Sequence, residues 1–260
     1  MQQIKSNTPF IIIVGLLLLF AILSYTIVSL SDDAPDFQEY QAGTDRKAVF
    51  INYFVPILQA QNQEITKQRQ QLMAWYDERD DLSWWSELQL NQLADDYDLI
   101  EFQIDDNDHW QELMLRVNKI PVSLALAQSA KESGWGTSRF AQQGANFFGQ
   151  WCYEKGCGMI PNNRIKGTSH EVEEFNSAQQ SVAAYLRNLN THPAYSDLRL
   201  TRARLVSQGE TVSGLALSVF LSHYSERREA YVKELQSMIR YNQLSQYDEH
   251  GTETMAHSEE

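Results

Sequence analysis

The order of apolar and polar positions divides the chain before any side-chain chemistry is considered. From Pro9 to Leu30 (PFIIIVGLLLLFAILSYTIVSL) there is an apolar run without one charge, long enough to span a bilayer as a helix. Lys5 lies before it and Asp32, Asp33 and Asp36 after it. That asymmetry keeps the short leading end on the cytoplasmic side. The alternative is a cleaved signal peptide. The run is long for one, and Thr26-Ile27-Val28-Ser29 offers no small-x-small cleavage site. The expected division is an anchor over 1–30, a linker over 31–44, a helical region over 45–118, a second domain over 119–243, and a polar, disordered tail over 244–260.

Within the first region, Phe50, Phe54, Ile57, Leu58 and Ile65 recur near i, i+3 and i+4 and predict a helix from Asp45 to about Asp80. Pro56 is expected to kink or restart it. Ser83-Trp84-Trp85-Ser86-Glu87 reads as a cap opening a helix to Tyr97. Asp105 to Asp108 precedes a third helix through Trp110, Leu113, Leu115 and Val117. That acidic run lacks the glycine and terminal glutamate of a calcium loop, so its carboxylates are read as helix caps.

The second region opens with Pro121, which suits a helix N-terminus. The residues from Val122 to Ala130 are small or apolar nearly all round, the mark of a buried helix. Gly134 and Gly136 end it. The stretch from Trp151 to Phe175 changes to Gly, Cys and Asn, then alternates through His170-Glu171-Val172-Glu173-Glu174-Phe175. It predicts a small hairpin turning near Asn162 to Gly167. Ser177 caps a helix through Val182, Tyr185, Leu186 and Leu189, and further helices are expected over 197–208, 213–224 and 229–241. The fold class expected is mainly α, an α+β arrangement of helices with one small hairpin.

Charge narrows the function classes. The chain holds 21 Lys and Arg against 34 Asp and Glu, a net charge of −13. Such a surface repels phosphate backbones and anionic lipid headgroups, which excludes nucleic acid as the main partner. Cys152 and Cys157 do not match zinc-ligand spacing and have no second pair, so no metal is expected. In an oxidising compartment they could form a local disulfide.

Glu132 ends the buried helix beside Gly134-Trp135-Gly136, a place where burial against Trp135 and Phe147 would disfavour its charged form. A carboxyl of that kind can protonate a glycosidic oxygen, while a second carboxylate stabilises the oxocarbenium ion or activates water. Glu171, Glu173 and Glu174 on the hairpin are candidates for the second. Trp135, Trp151 and Tyr153 could stack on sugar faces. Taken singly, each of these residues favours a plainer reading: a helix-end surface carboxylate, a solvated hairpin face, aromatic core packing.

The run AQSAKESGWGTSRFAQQGANFFGQW (Ala127 to Trp151) resembles the motif A-x-x-x-x-E-S-x-W-G-x-S followed by N-x-F-G. That motif belongs to the bacterial cell-wall glucosaminidases of glycoside hydrolase family 73, among them flagellar muramidases and many autolysins. Ser181 to Tyr195 is similar to the family's helix ending in N-P-x-Y, with His192 in place of Asn. Phe220 to Leu235 is similar to its A-G-Y-A-x-x-x-x-Y-x-x-K-L run, matching Tyr224, Tyr231, Lys233 and Leu235. The resemblance covers about Lys119 to Tyr241. It implies a lysozyme-like α+β fold, no cofactor, and peptidoglycan glycan strands as the partner. The implied activity is hydrolysis of the β-1,4 bond after N-acetylglucosamine. It matches Glu132 to the general acid and Tyr224 to a tyrosine of the active-site groove, and suggests Trp135, Asn146, Phe148, Trp151, Tyr195 and Tyr231 as substrate-binding residues. The family's hairpin T-T-E-Y is absent. Glu171 is therefore the expected second carboxylate, with Glu154 and Glu174 as substitutes, and assistance by the substrate's own N-acetyl group stays open. The location expected from the apolar run and its flanking charges is the inner membrane, single-pass through residues 9–30, with the catalytic domain in the periplasm, or free in the periplasm after signal cleavage. Amidase, lytic transglycosylase and non-catalytic peptidoglycan binding are the rival functions.

Overall fold

A computed structural model describes residues 34–161, 169–222 and 224–248. The apolar run 9–30, the expected hairpin turn 162–167 and the end of the expected tail lie outside these residues. Among the described residues no helix is long and apolar enough to cross a membrane. Contacts divide the chain into Met1–Pro35 and Asp36–Glu260. The elements named below belong to the second unit.

After a 3-10 turn at Phe37–Glu39, α1 (Thr44–Asp77) runs unbroken through Pro56. The helix does not restart at the proline. Pro56 and Asn52, whose carbonyl loses its partner to the proline, both lie on the exposed side of α1, where water can satisfy that carbonyl. Phe50, Phe54, Leu58 and Ile65 form the buried stripe. Next come α2 (Trp84–Asp96), whose Ser83 hydroxyl accepts from Ser86 N, and α3 (Asn107–Arg116), whose Asp106 carboxylate accepts from Asp108 N. The expected capping roles at both sites hold. Leu72, Trp75, Leu90, Leu93, Trp110 and Leu113 form one core cluster among α1, α2 and α3.

Helix α4 (Val122–Glu132) is buried along nearly its whole length, and α1 packs along it. α5 (Arg139–Gly144) follows. The expected hairpin is a three-stranded antiparallel sheet of order β1-β3-β2, with β1 Trp151–Cys152, β2 Gly158–Met159 and β3 Glu171–Glu173. Trp151 pairs with Val172 and Gly158 with Glu173. Then come α6 (Ala178–Thr191), α7 (Ser196–Ser207), the short α8 (Gly214–Leu217) and α9 (Glu229–Tyr241). Where one helix was expected over 213–224, α8 gives way to a 3-10 turn at Ser218–Leu221.

Two buried polar clasps correct the expected boundaries. Arg202 of α7 donates to Leu115 O (2.6 Å), Asn118 O (3.2 Å), Lys119 O (2.9 Å) and Asn190 Oδ1 (2.7 Å). Burial lowers its pKa to about 9. The segment at the expected domain junction is thus held from within the fold. At the other end, Asp248 accepts from Ser123 N (2.8 Å), Ser123 Oγ (2.7 Å) and Gly214 N (3.1 Å). Leu244 and Asp248 are buried, so residues 244–248 belong to the packed structure and not to the expected tail.

Candidate active site

The chemistry gathers at the C-terminal end of α4. Ser133 Oγ donates to Ser129 O (2.6 Å) and accepts from Gly136 N (2.8 Å), which curls the chain into a tight turn. Trp135 N returns to Ala130 O at 2.7 Å. Trp135 and Gly136 both take positive φ, 58° and 78°. A Cβ on Gly136 would lie 2.2 Å from the Phe37 ring, so both the turn and the packing demand glycine there. The Phe50 ring meets Trp135 edge-on at 5.5 Å, and the Lys47 ammonium sits 5.1 Å from the indole centroid. The first half of α1 therefore backs the Glu132 turn.

The loop 146–150 faces it. Asn146 is buried and organises this loop: Nδ2 donates to Gln150 O and Glu173 O, both at 2.9 Å. Its Oδ1 accepts from Phe148 N (3.3 Å) and Gln150 N (3.1 Å). Phe148 is fully buried and stacks on Tyr185, centroids 4.0 Å apart. Gly149 has φ 68°, and a Cβ there would approach Glu132 Oε2 to 3.9 Å. The main chain thus passes close beside the carboxyl.

Glu132 Oε1 accepts from Tyr231 Oη at 2.8 Å; among the described residues Oε2 has no hydrogen-bond partner. Burial raises the carboxyl pKa, outweighing the Tyr231 hydrogen bond and the nearby Lys131 charge, which lower it. Lys131 is itself ion-paired: Glu234 accepts from Lys131 Nζ and from the Arg227 guanidinium. Tyr224 stacks parallel to Tyr231 at 5.8 Å and donates to Phe148 O at 2.7 Å. Burial holds the Tyr224 phenol neutral by raising its pKa well above the ordinary value.

Several expected roles change in this light. Glu171, expected as the second carboxylate, is buried, and its oxygens accept from Gly156 N (3.2 and 3.0 Å) and Gly158 N (3.0 Å). It shapes the loop that the Cys152–Cys157 disulfide closes. Glu171 lies close to both sulfurs, which are bonded to each other and provide no thiolate ligand. Asn146 and Phe148 build the loop and do not offer a free surface to substrate. Tyr195 is buried, its phenol raised to about 12 by desolvation, and is likewise structural. Tyr231 is buried and addresses Glu132. Of the expected aromatic platforms, Trp151 is 55% exposed and stacks on His170 at 4.2 Å. Trp135 is part-exposed. Gln128 was not expected to matter: it is buried one helical turn before Glu132 and donates to Tyr231 Oη. A long polar side chain on a buried helix of mostly small and apolar residues, four positions before the carboxylate, was the signal.

A helical domain with a part-buried glutamate met by a tyrosine hydroxyl, close to a small antiparallel sheet, fits a glycoside hydrolase. Residues 107–244 match the family model described as mannosyl-glycoprotein endo-beta-N-acetylglucosaminidase, and the chain belongs to this glucosaminidase family. Among its relatives is "Protein bax" of Escherichia coli strain K12, 35% identical over 216 residues, 82% of this chain and 76% of that protein. A solved structure, the catalytic domain of the autolysin Auto from Listeria monocytogenes, aligns over 95% of this chain and 100% of that one. Its TM-score is 0.39 at 14% identity, a likeness too distant to bear on mechanism.

Proposed function

We propose that the chain is a peptidoglycan hydrolase cutting the β-1,4 glycosidic bond after N-acetylglucosamine, with Glu132 as general acid. The observation that carries this reading is the state of the Glu132 carboxyl. It is buried enough for its pKa to be raised, it is held through one oxygen by Tyr231, and its other oxygen is turned toward Gly149. A carboxyl with a raised pKa holds its proton to higher pH and can deliver it to the leaving glycosidic oxygen. The family match supports the bond class.

With Glu171 committed to main-chain amides, the second carboxylate is sought among Glu154, Glu173 and Glu174. Glu173 is favoured: it is half-buried, burial raises its pKa, and its main chain bonds the 146–150 loop at Gln150 O and Asn146 Nδ2. Glu154 and Glu174 are exposed. The rival is assistance by the substrate's own N-acetyl group, which needs no second enzyme carboxylate. Residues 9–30 are proposed as an inner-membrane anchor holding the catalytic unit in the periplasm. The uncharged apolar run and a disulfide suited to an oxidising compartment support this.

The test is muropeptide release from purified sacculi, read by mass spectrometry. Wild type should give reducing-end N-acetylglucosamine, and Glu132→Gln should give none. Anhydro-sugar ends would reassign the enzyme as a lytic transglycosylase, free stem peptides as an amidase, and sacculus binding without release as a binding protein. Retained activity in Glu173→Gln would favour substrate assistance.

A further inference from the structure

Four side chains form a hydrogen-bonded line into the site. Tyr185 Oη donates to Gln128 Oε1, Gln128 Nε2 donates to Tyr231 Oη at 2.9 Å, and Tyr231 Oη donates to Glu132 Oε1 at 2.8 Å. All but Glu132 are buried. A phenol has one proton, and a primary amide donates only through its nitrogen. Tyr231 accepts from Gln128, so its only proton is left for Glu132. The Gln128 amide cannot be turned around without cost. Its nitrogen would then face Tyr185, and the Tyr185 proton, fully buried, would have no acceptor among the described residues.

From this we infer that Gln128 and Tyr185 are positioning residues for the reaction: they commit the Tyr231 proton to Glu132 Oε1, so that the acid form of Glu132 carries its transferable proton on Oε2, the oxygen facing Gly149. The inference rests on the reading of Glu132 as general acid. An oxygen already accepting a hydrogen bond from Tyr231 is the poorer place for the proton, and Oε2, free among the described residues, is the one that can reach a substrate oxygen beside the 146–150 loop. The catalytic proton thereby acquires a direction as well as an affinity. The charged and titratable groups set against Glu132 are Lys131 on its own helix, Tyr231 on α9, Tyr224 before α9 and Tyr185 on α6. Glu234 pairs with both Lys131 and Arg227. None of these replaces the Gln128 contact to Tyr231.

The experiment combines two readouts on the full chain in detergent. One is pH-difference infrared spectroscopy of the Glu132 carboxyl band, assigned by its loss in Glu132→Gln. The other is kcat and KM on a soluble peptidoglycan fragment. Tyr231→Phe removes a bond that favours the carboxylate. The Glu132 midpoint should rise, the alkaline limb of kcat should move up with it, and kcat should fall about tenfold with KM within twofold. Gln128→Met should shift the midpoint in the same direction by less. The double variant should match Tyr231→Phe alone, because Gln128 acts through Tyr231. Tyr185→Phe gives the same comparison if Gln128→Met does not fold. Losses that multiply in the double variant, or a midpoint unmoved by Tyr231→Phe, would overturn the proposal. The infrared titration needs no catalysis, so it still tests the relay if Glu132→Gln proves active and the general-acid reading fails.

Discussion

Glu132 and Glu171 are both removed from bulk water, and their surroundings give them opposite tasks. Glu171 receives main-chain N–H groups from Gly156 and Gly158. Such bonds satisfy a carboxylate as an anion and spend its oxygens on shaping a loop. Glu132 receives one phenolic O–H at the end of an apolar helix, and burial leaves it partly unsatisfied as an anion. Burial by itself does not mark a catalytic carboxyl. What separates the two is how many donors meet the charge, and whether an oxygen is left facing open space.

The sharpest break of this contrast is Glu132→Gln. Removing a general acid costs about 10²–10⁴-fold in rate, so sacculus digestion should fall into that range. Stability should move the other way. The folded pKa of Glu132 lies above its unfolded value, so the folded state binds the proton more tightly. Its contribution is therefore largest at low pH and is lost as pH rises from the unfolded pKa through the folded one. At neutral pH the uncharged Gln should raise stability on the order of 1 kcal/mol, or about 2–4 °C in Tm, and flatten the Tm–pH curve above the ordinary carboxyl pKa of about 4.3. A Tm that falls would show that Glu132 is a satisfied structural anion like Glu171.

Glu171→Gln should reverse the pattern. The amide nitrogen would oppose Gly156 N or Gly158 N, leaving a buried donor facing a donor. A loss of roughly 2 kcal/mol is expected, read as a lower Tm, with kcat reduced far less than in Glu132→Gln. If Glu171→Gln abolished cleavage at unchanged Tm, Glu171 would be the second carboxylate after all.

The disulfide probes the same loop. Cys152 and Cys157 enclose a short segment, separated by 5 positions, for which chain-entropy reasoning gives about 2 kcal/mol. Cys152→Ser with Cys157→Ser should lower stability by no more than that, read as a lower Tm. Combined with Glu171→Gln the losses should be less than additive, since both act on one loop. Full additivity would show that the loop has two independent supports.

How much of this could be read from the sequence depends on the length scale of each interaction. Caps were legible because their partners are two or three residues away, as with Ser83, Asp106 and Ser177. The burial of α4 was legible because nearly every position from Val122 to Ala130 is small or apolar. The half-buried setting of Glu132 was legible through the Trp-Gly turn that follows its helix. The roles of its neighbours were not, because their partners lie far along the chain. Tyr224 reaches Phe148 across 76 positions, and Tyr231 reaches Glu132 across 99. Asn146 and Phe148 stood in a motif, and a motif does not say whether its residues touch substrate or hold up the loop that does. The packed end at Asp248 was hidden for the same reason, its partners Ser123 and Gly214 being 125 and 34 positions away.

The smallest effect, and the finest test, concerns Tyr224. Its hydroxyl is spent on Phe148 O, and its ring lies parallel to Tyr231. The first holds the 146–150 loop, and the second helps hold the phenol that addresses Glu132. Tyr224→Phe keeps the stacking and removes one hydrogen bond, a cost of about 1 kcal/mol. The Phe148 carbonyl then relaxes toward water, and Gly149 is held less closely against Oε2. Activity should fall severalfold and Tm slightly, in the same proportion, because both report one loosened loop. A large loss of kcat at unchanged Tm would mean that the Tyr224 hydroxyl leaves Phe148 during turnover and touches the reacting sugar. In that case the loop would be held by Asn146, Ser181 and the Glu173 main chain, and Tyr224 would join the proposed general acid as a catalytic group.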